Sequence, residues 1–377
     1  MYIELLKLVN YRNYNNLKLD LIPGLNVLVG DNAQGKTNIL ESIFFSCTGK
    51  SHRTSRDREL IRVNKEECFI LTELQREEGK NVIEIRLKQQ GKKIIKINGV
   101  AIRRLSELMG NLNVVIFSPE DLRLIKEGPR ERRRFMDIQL CQMRPKYLYN
   151  LQQYNRILNQ RNTLLKKIQT KAGLKKTLSI WDRQLVTQGC NIIKTRHWFL
   201  EKLGDIALNL HSDLTMGRET LNIKYVSSIE YNDLYEIEQS FMKVIEKNRE
   251  RDIMLGSTQK GPHRDDFDIY INELDLKSYG SQGQHRTAAL SLKLSGIDII
   301  KEDVGEYPVL LLDDVMSELD TRRQQMLMSN LSRVQSVVTC TDLSWTDHAR
   351  GFDKKIFHVK QGRVKVKGIN KSSDKGF

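Results

Sequence analysis

Val27-Leu-Val-Gly30-Asp31-Asn32-Ala33-Gln34-Gly35-Lys36-Thr37-Asn-Ile-Leu-Glu-Ser-Ile43 sets a glycine loop between an apolar run and a helical pattern. Gly30, Gly35, Lys36 and Thr37 fill every fixed position of G-x-x-x-x-G-K-[ST], the phosphate-loop signature. The run Leu25 to Val29 predicts a buried strand, and Ile39, Leu40, Ile43 and Phe44 predict an amphipathic helix. Glycines let backbone N–H groups of Gly30 to Gly35 wrap a phosphate, and the helix N-terminus adds positive partial charge. In such a loop Lys36 reaches the β- and γ-phosphates of a nucleoside triphosphate, and the Thr37 hydroxyl ligates Mg²⁺.

A phosphate loop needs a carboxylate to hold its metal, and the sequence offers one far downstream. Val309-Leu-Leu-Leu312 running into Asp313-Asp314 has the form of a buried strand ending in acid. Asp313 takes the Mg²⁺ role, and Asp314 stands where a general base would orient an attacking water. Shortly before it, Ser281-Gln-Gly283-Gln284 opens a helix expected at about 284–300. Ser and Gly at a helix N-terminus suit an oxyanion, and they equally suit an ordinary N-cap with a turn glycine. Because Gly30–Thr37 already serves one set of phosphates, the second anion-binding end points to another nucleotide. The simplest arrangement is a two-fold dimer in which Ser281 of each subunit caps the γ-phosphate held by the other.

The 377 residues carry a formal charge of +15, with 39% hydrophobic and 29% charged residues, which describes a globular chain. No apolar run approaches the roughly 20 residues a bilayer span requires. Five cysteines lie scattered with no C-x-x-C pair, which argues for free thiols and a cytoplasmic location. The charge is concentrated: between Asp121 and Thr177 there are 15 Lys and Arg against four acidic residues, a local net of +11. That excess fits either a solvated helical face or phosphates of nucleic acid. Arg130, Arg132, Arg133, Arg134, Lys166 and Lys167 are the candidate DNA contacts, on charge alone.

Strands dominate up to about residue 120, the helix after the phosphate loop excepted. Helical periodicity follows. One stripe runs Leu151, Tyr154, Leu158, Arg161, Leu165, Ile168, and a second runs Trp181, Leu185, Gln188, Ile192, Thr195, Phe199. The pair predicts a helical hairpin that either projects as an arm or packs on the main domain. The expected organisation is an α/β ATPase lobe from residues 1–120 and 205–377, an inserted basic helical lobe at 121–204, and a disordered tail at 367–377. His263-Arg264-Asp265-Asp266 supplies one histidine and two carboxylates, a poor ligand set, so structural pairing is its default.

Phosphate loop, S-x-G-Q and h-h-h-h-D-D-x-x-S-E-L-D, in that order, resemble the ATP-binding-cassette ATPases, including their SMC-like DNA-repair members. Ser317-Glu318-Leu319-Asp320 is similar to their D-loop. Nearly the whole chain resembles the RecF family of bacterial recombination mediators. The likeness rests on Asn10-Tyr-Arg12-Asn-Tyr14, Ser118-Pro-Glu-Asp121, Gly128-Pro-Arg-Glu-Arg-Arg-Arg-Phe135 and Gly261-Pro-His-Arg-Asp-Asp266. The resemblance implies an SMC-like P-loop ATPase lobe that binds ATP and Mg²⁺ and dimerises on ATP. It implies that the dimer grips single-stranded DNA or gap junctions. It further implies loading of recombinase with RecO and RecR, and support of replication restart and the SOS response. It carries Ser281, Gly283 and Gln284 over as the signature acting across the dimer and puts Arg12 near the nucleotide.

The chain departs from the transporter pattern. It has Gly280-Ser281-Gln282-Gly283-Gln284 for Leu-Ser-Gly-Gly-Gln, Asp314 for the usual glutamate base, and Thr339-Cys340-Thr341-Asp342 where the switch histidine would stand. A shorter base and an absent histidine imply slow hydrolysis that times a binding switch, and the resemblance implies that DNA stimulates it. Two alternatives share the phosphate loop: a transport-coupling subunit, which requires a membrane partner, and a small-molecule kinase, which has no use for S-x-G-Q with S-E-L-D.

Overall fold

Three consecutive parallel strands set the geometry of the first structural unit. In the computed structural model, which describes residues 1–349 and 351–370, one six-stranded sheet has the order Arg363–Asn370, Lys354–Lys360, Leu25–Val29, Ser336–Cys340, Val309–Asp313, Val114–Phe117. All its pairings are parallel except that of the first two strands, which form the closing hairpin. Leu25–Val29 and Ser336–Cys340 are buried at every residue, as strands covered on both faces are. The register sets Leu28 beside Thr339 and Thr339 beside Asp313. The phosphate loop and the Asp313 carboxylate therefore leave the sheet at the same carboxyl-terminal edge, the ligand edge of open α/β sheets.

A second sheet is built largely of antiparallel hairpins, in the order Tyr14–Asp20, Tyr2–Tyr11, Glu67–Arg76, Gly79–Lys88, Ile94–Ile97, Val100–Ala101. The helix Lys36–Thr48 packs against strands of both sheets, and eleven of its residues are buried. Buried polar atoms on it are paired, as burial demands: the Ser46 and Thr72 hydroxyls meet at 2.9 Å. A left-handed Gly49 ends the helix by donating its N–H to the Phe45 carbonyl.

The chain divides into two compact units, Met1–Leu122 with Asp213–Met216 and Thr287–Phe377, and Arg123–Ser212 with Gly217–Arg286. The second unit is larger than the inserted 121–204 expected from charge and periodicity. Leu221–Val226 and Asp266–Ile271 pair with each other and with Leu274–Asp275 in a three-stranded sheet of their own. These strands belong with the helices, because Phe135 packs both on Phe199 and on Phe267, with ring centroids 6.2 and 6.4 Å apart. The disordered tail expected from residue 367 is not found at 367–370. Arg363–Asn370 continues the hairpin through residues 367–370, and 371–377 lie outside the described residues.

The predicted stripes form the helices Pro145–Ile168 and Leu178–Thr215, joined by a 3₁₀ turn at Ala172–Thr177. The polar interruption at Arg161 is fully buried and sits in a network described below. His263 bridges the Tyr154 hydroxyl at 2.6 Å and the Thr258 carbonyl at 3.1 Å. Asp265 takes the Tyr225 hydroxyl and the Ser228 N–H, and Asp266 takes Arg132, so this segment is spent on internal pairing. Burial pushes His263 down to about 4, so it is neutral in the folded chain, while the unfolded imidazole protonates near 6.5. The unfolded state thus binds the extra proton between those values, and stability falls as the pH drops from 6.5 toward 4, by up to about 1.4 kcal/mol per pH unit. Urea midpoints at pH 7 and pH 5 are expected to differ less in His263→Asn than in the parent.

Among the described residues no helix is long and apolar enough to cross a membrane. None of the five cysteines forms a disulfide, and all five are buried. Burial lifts the Cys340 thiol to about 11 and that of Cys190 to about 12, which keeps them protonated and inert.

Candidate functional site: a phosphate loop and a signature helix

The phosphate loop is preformed by its backbone. Ala33 and Gly35 both take left-handed conformations, at φ 62° and 110°. A Cβ on Gly35 would fall 2.4 Å from the Asn13 side chain, and one on Gly30 would fall 2.2 Å from the Val359 carbonyl oxygen. Neither position tolerates a side chain, so the two invariant glycines of the motif are each explained by a close approach. Asn13 donates to the Gln34 carbonyl and accepts from Asn38, and the Gln34 side chain takes the Gln361 N–H at 2.7 Å. The Tyr14 hydroxyl donates to the Gly35 carbonyl at 3.1 Å. Sequence reading gave no role to Asn13, Gln361 or Tyr14, because each reaches the loop from a segment distant in the chain.

Lys36 opens the helix, is 6% exposed, and donates its ammonium to the carbonyls of Gly30 at 2.5 Å and Asp31 at 3.0 Å. The cation is thus already folded back over the loop. Beside it, the Thr37 hydroxyl donates to Asp313 Oδ1 at 2.8 Å, and the Thr339 hydroxyl donates to the same oxygen at 2.8 Å. Thr339 also accepts the Asp314 N–H at 2.9 Å, which holds Asp314 in its left-handed backbone at φ 55°. Burial raises the Asp313 carboxyl above the ordinary aspartate value against these two hydroxyls, and the neighbouring Asp314 charge adds to the rise. A carboxylate destabilised by burial gains from a divalent cation. Thr37 and Asp313 are the protein groups suited to hold one, and Mg²⁺ characteristically takes few protein ligands and completes its shell with water and phosphate. The N–H groups of the loop, the Lys36 ammonium and this cation pair together fit a triphosphate.

Arg12, expected near the nucleotide, pairs with the phosphate-loop helix. Its Nε and Nη2 form a fork on Glu41 at 2.9 and 2.8 Å, and Nη1 donates to the Glu59 carbonyl. Glu41 lies on the phosphate-loop helix with its carboxylate fully buried. Burial would raise that carboxyl, but hydrogen bonds from Arg12 and Ser51 hold it below its ordinary value. Arg12 therefore braces the helix that opens from the loop, a partnership across 29 residues that the sequence does not announce.

Ser281 and Gln284 form a reciprocal capping box. Gln284 Oε1 accepts the Ser281 N–H at 2.8 Å, and Ser281 Oγ accepts the Gln284 N–H at 3.2 Å. Ser281 and Gly283 are exposed at the start of the helix Gln282–Val304. The residues thus meet the N-cap description, and the Ser281 hydroxyl retains its own proton for an outside acceptor.

The candidate DNA contacts divide sharply. Arg132 is 6% exposed and forks onto Asp266 at 2.7 and 2.7 Å, with a third bond to the Glu127 carbonyl. Arg133 donates to the Asp265 carbonyl at 2.6 Å, and burial lowers its guanidinium below the usual range, with Arg196 adding to the fall. Both are committed to the fold, which corrects the expectation from charge. Arg130, Arg134, Lys166 and Lys167 are exposed, with Arg134 facing Glu131 at 3.8 Å. Arg132→Ala is accordingly expected to cost about 3–5 kcal/mol of stability by stranding Asp266. Lys166→Ala and Lys167→Ala are expected to leave urea midpoints nearly unchanged and each to reduce the DNA salt slope by about 1.

Fold and site together define a P-loop ATPase lobe of the ATP-binding-cassette, SMC-like kind. Residues 2–365 match the RecF/RecN/SMC N-terminal domain family. The chain is 46% identical to "DNA replication and repair protein RecF" of Clostridium perfringens over 97% of its length and 99% of that protein. The same identity holds for the Clostridium botulinum protein of that name, over 97% and 100%. Among solved structures, the recombination mediator protein RecF-ATP of the RecFOR pathway superposes with a TM-score of 0.91 at 38% identity, covering 97% of this chain and 98% of that one. The Pyrococcus furiosus Smc head domain shares the fold alone, at TM-score 0.56 and 17% identity over 97% of this chain and 95% of its own. The chain belongs to the RecF family.

Proposed function

We propose that this chain is an ATP-operated DNA clamp of recombinational repair and replication restart. The reading is that Gly30–Thr37 and Asp313 bind ATP with Mg²⁺, and that two copies close when Ser281, Gly283 and Gln284 of each meet the γ-phosphate held by the other. Exposed basic residues, among them Arg130, Arg134, Lys166 and Lys167, then contact DNA backbone at single-stranded regions or gap junctions. Hydrolysis, with Asp314 poised to orient water, opens the pair slowly and releases the DNA. RecO and RecR, recombinase loading and SOS support belong to the same reading, as does a cytoplasmic setting.

One observation carries it: two hydroxyls, Thr37 and Thr339, converge on the lifted carboxylate of Asp313 beside a lysine already folded over a phosphate loop. The identity to RecF proteins over nearly the full chain supports the DNA half and favours it over transport coupling or small-molecule phosphorylation. Bound Mg²⁺ would offset the developing phosphate charge, and the chain's own part is positioning: Lys36 steers the phosphates, and Thr37 and Asp313 fix the cation. DNA affinity measured against salt, with and without ATP, tests the proposal. A steep slope that appears only with ATP supports it, and an affinity indifferent to salt and nucleotide rejects it.

A further inference from the structure

The Gln284 side chain has a second partner that the capping box does not need. Its Nε2 donates to Glu219 Oε1 at 3.0 Å, and Glu219 Oε2 lies 3.0 Å from Nε2 of His211. His211 is fully buried near the end of the long helix Leu178–Thr215, whereas Glu219 stands in the short link to the strand Leu221–Val226 and is 22% exposed. The four groups form one hydrogen-bonded chain, His211 to Glu219 to Gln284 to Ser281. Its chemistry is directional. An ionised carboxylate only accepts, so Glu219 fixes the Gln284 amide with nitrogen toward itself and oxygen toward the Ser281 N–H. The Gln284 N–H in turn occupies a lone pair of Ser281 Oγ, which leaves the hydroxyl proton available to an outside acceptor. Without Glu219 the amide is free to flip, and the flipped form presents a donor to the Ser281 N–H and breaks the box.

We infer that Glu219, braced by His211, is the positioning residue of the signature helix: it sets the amide of Gln284 so that the Ser281 hydroxyl points its proton at the γ-phosphate held by a second copy of this chain. The inference rests on the ATP-bridged dimer proposed above. It predicts that Glu219 acts in trans. Glu219→Ala should leave binding of a fluorescent ATP analogue to the isolated chain within twofold of the parent, since Gly30–Thr37 is untouched. The same change should lower ATP-induced dimerisation and turnover by about tenfold, the scale of one charge-assisted hydrogen bond. Glu219→Gln keeps an acceptor at the same reach and should recover at least half of the loss.

The deciding experiment mixes Glu219→Ala with Lys36→Ala. A dimer of one of each contains one composite site whose phosphate loop and signature are both intact, so turnover should rise above that of either variant alone. A Glu219→Ala chain that dimerises and turns over like the parent overturns the inference, and so does a mixture no more active than its parts. If the parent chain itself fails to dimerise on ATP, the proposed function fails first, and the two failures are told apart by that control.

Discussion

Lys36→Ala is expected to weaken ATP binding on the order of a hundredfold and to abolish ATP-dependent dimerisation and DNA retention. Lys36 is 6% exposed and its ammonium is held by the Gly30 and Asp31 carbonyls, so it stands over the loop before any ligand arrives. Such pre-organisation removes the entropy a mobile lysine would lose on binding. Hydrogen bonds to charged groups contribute about 1.5–3 kcal/mol each, so one or two lost phosphate contacts account for the predicted factor. Stability should fall as well, by about 1–3 kcal/mol, because the Gly30 carbonyl is buried and loses its donor. Calorimetric titration with ATP gives the affinity, and a loss below about threefold would show that Lys36 does not meet the phosphates.

Arg161→Ala is expected to be among the most destabilising single changes in the helical unit, by about 3–5 kcal/mol. The guanidinium is fully buried and donates Nε to Asp182 at 2.8 Å and Nη1 to Asp252 and to Thr258, each at 2.7 Å. Asp182 keeps Arg249 at 3.0 Å as a second partner, whereas Asp252 keeps only the Gln259 N–H. Burial already raises the Asp252 carboxyl above its ordinary value, against the pull of Arg161. Removing the cation leaves that carboxylate buried and uncompensated. Arg161→Lys should recover part of the loss and no more, since one ammonium cannot copy a fork that spans two aspartates. Urea unfolding gives the difference, and a loss below about 1 kcal/mol would contradict a structural role for this network.

Where the sequence was informative, it was so because local chemistry and function coincide. Gly30, Gly35, Lys36 and Thr37 are close in the chain and close in the loop, and the apolar run before Asp313 is both a strand and the support of that carboxylate. The helix expected at about 284–300 runs from Gln282 to Val304. What escaped was pairing across sequence distance. Arg12 with Glu41, Arg132 with Asp266 and Arg161 with Asp252 are separated by 29, 134 and 91 residues. A basic residue committed to a buried carboxylate counts in a charge sum like one facing solvent, which is why Arg132 and Arg133 read as DNA contacts. The three-stranded sheet was assigned to the ATPase lobe because a strand pattern states that a strand forms and is silent about which strands it joins.

The central claim is that ATP joins two copies of this chain through composite sites, each made of a phosphate loop and a partner's Ser281. Light scattering with ADP, ATP and a non-hydrolysable analogue, each with and without DNA, measures it directly. The account predicts twice the chain mass with ATP and its analogue, a single-chain mass with ADP, and loss of the doubled species in Ser281→Arg. A single-chain mass under every nucleotide, DNA present or absent, would contradict it.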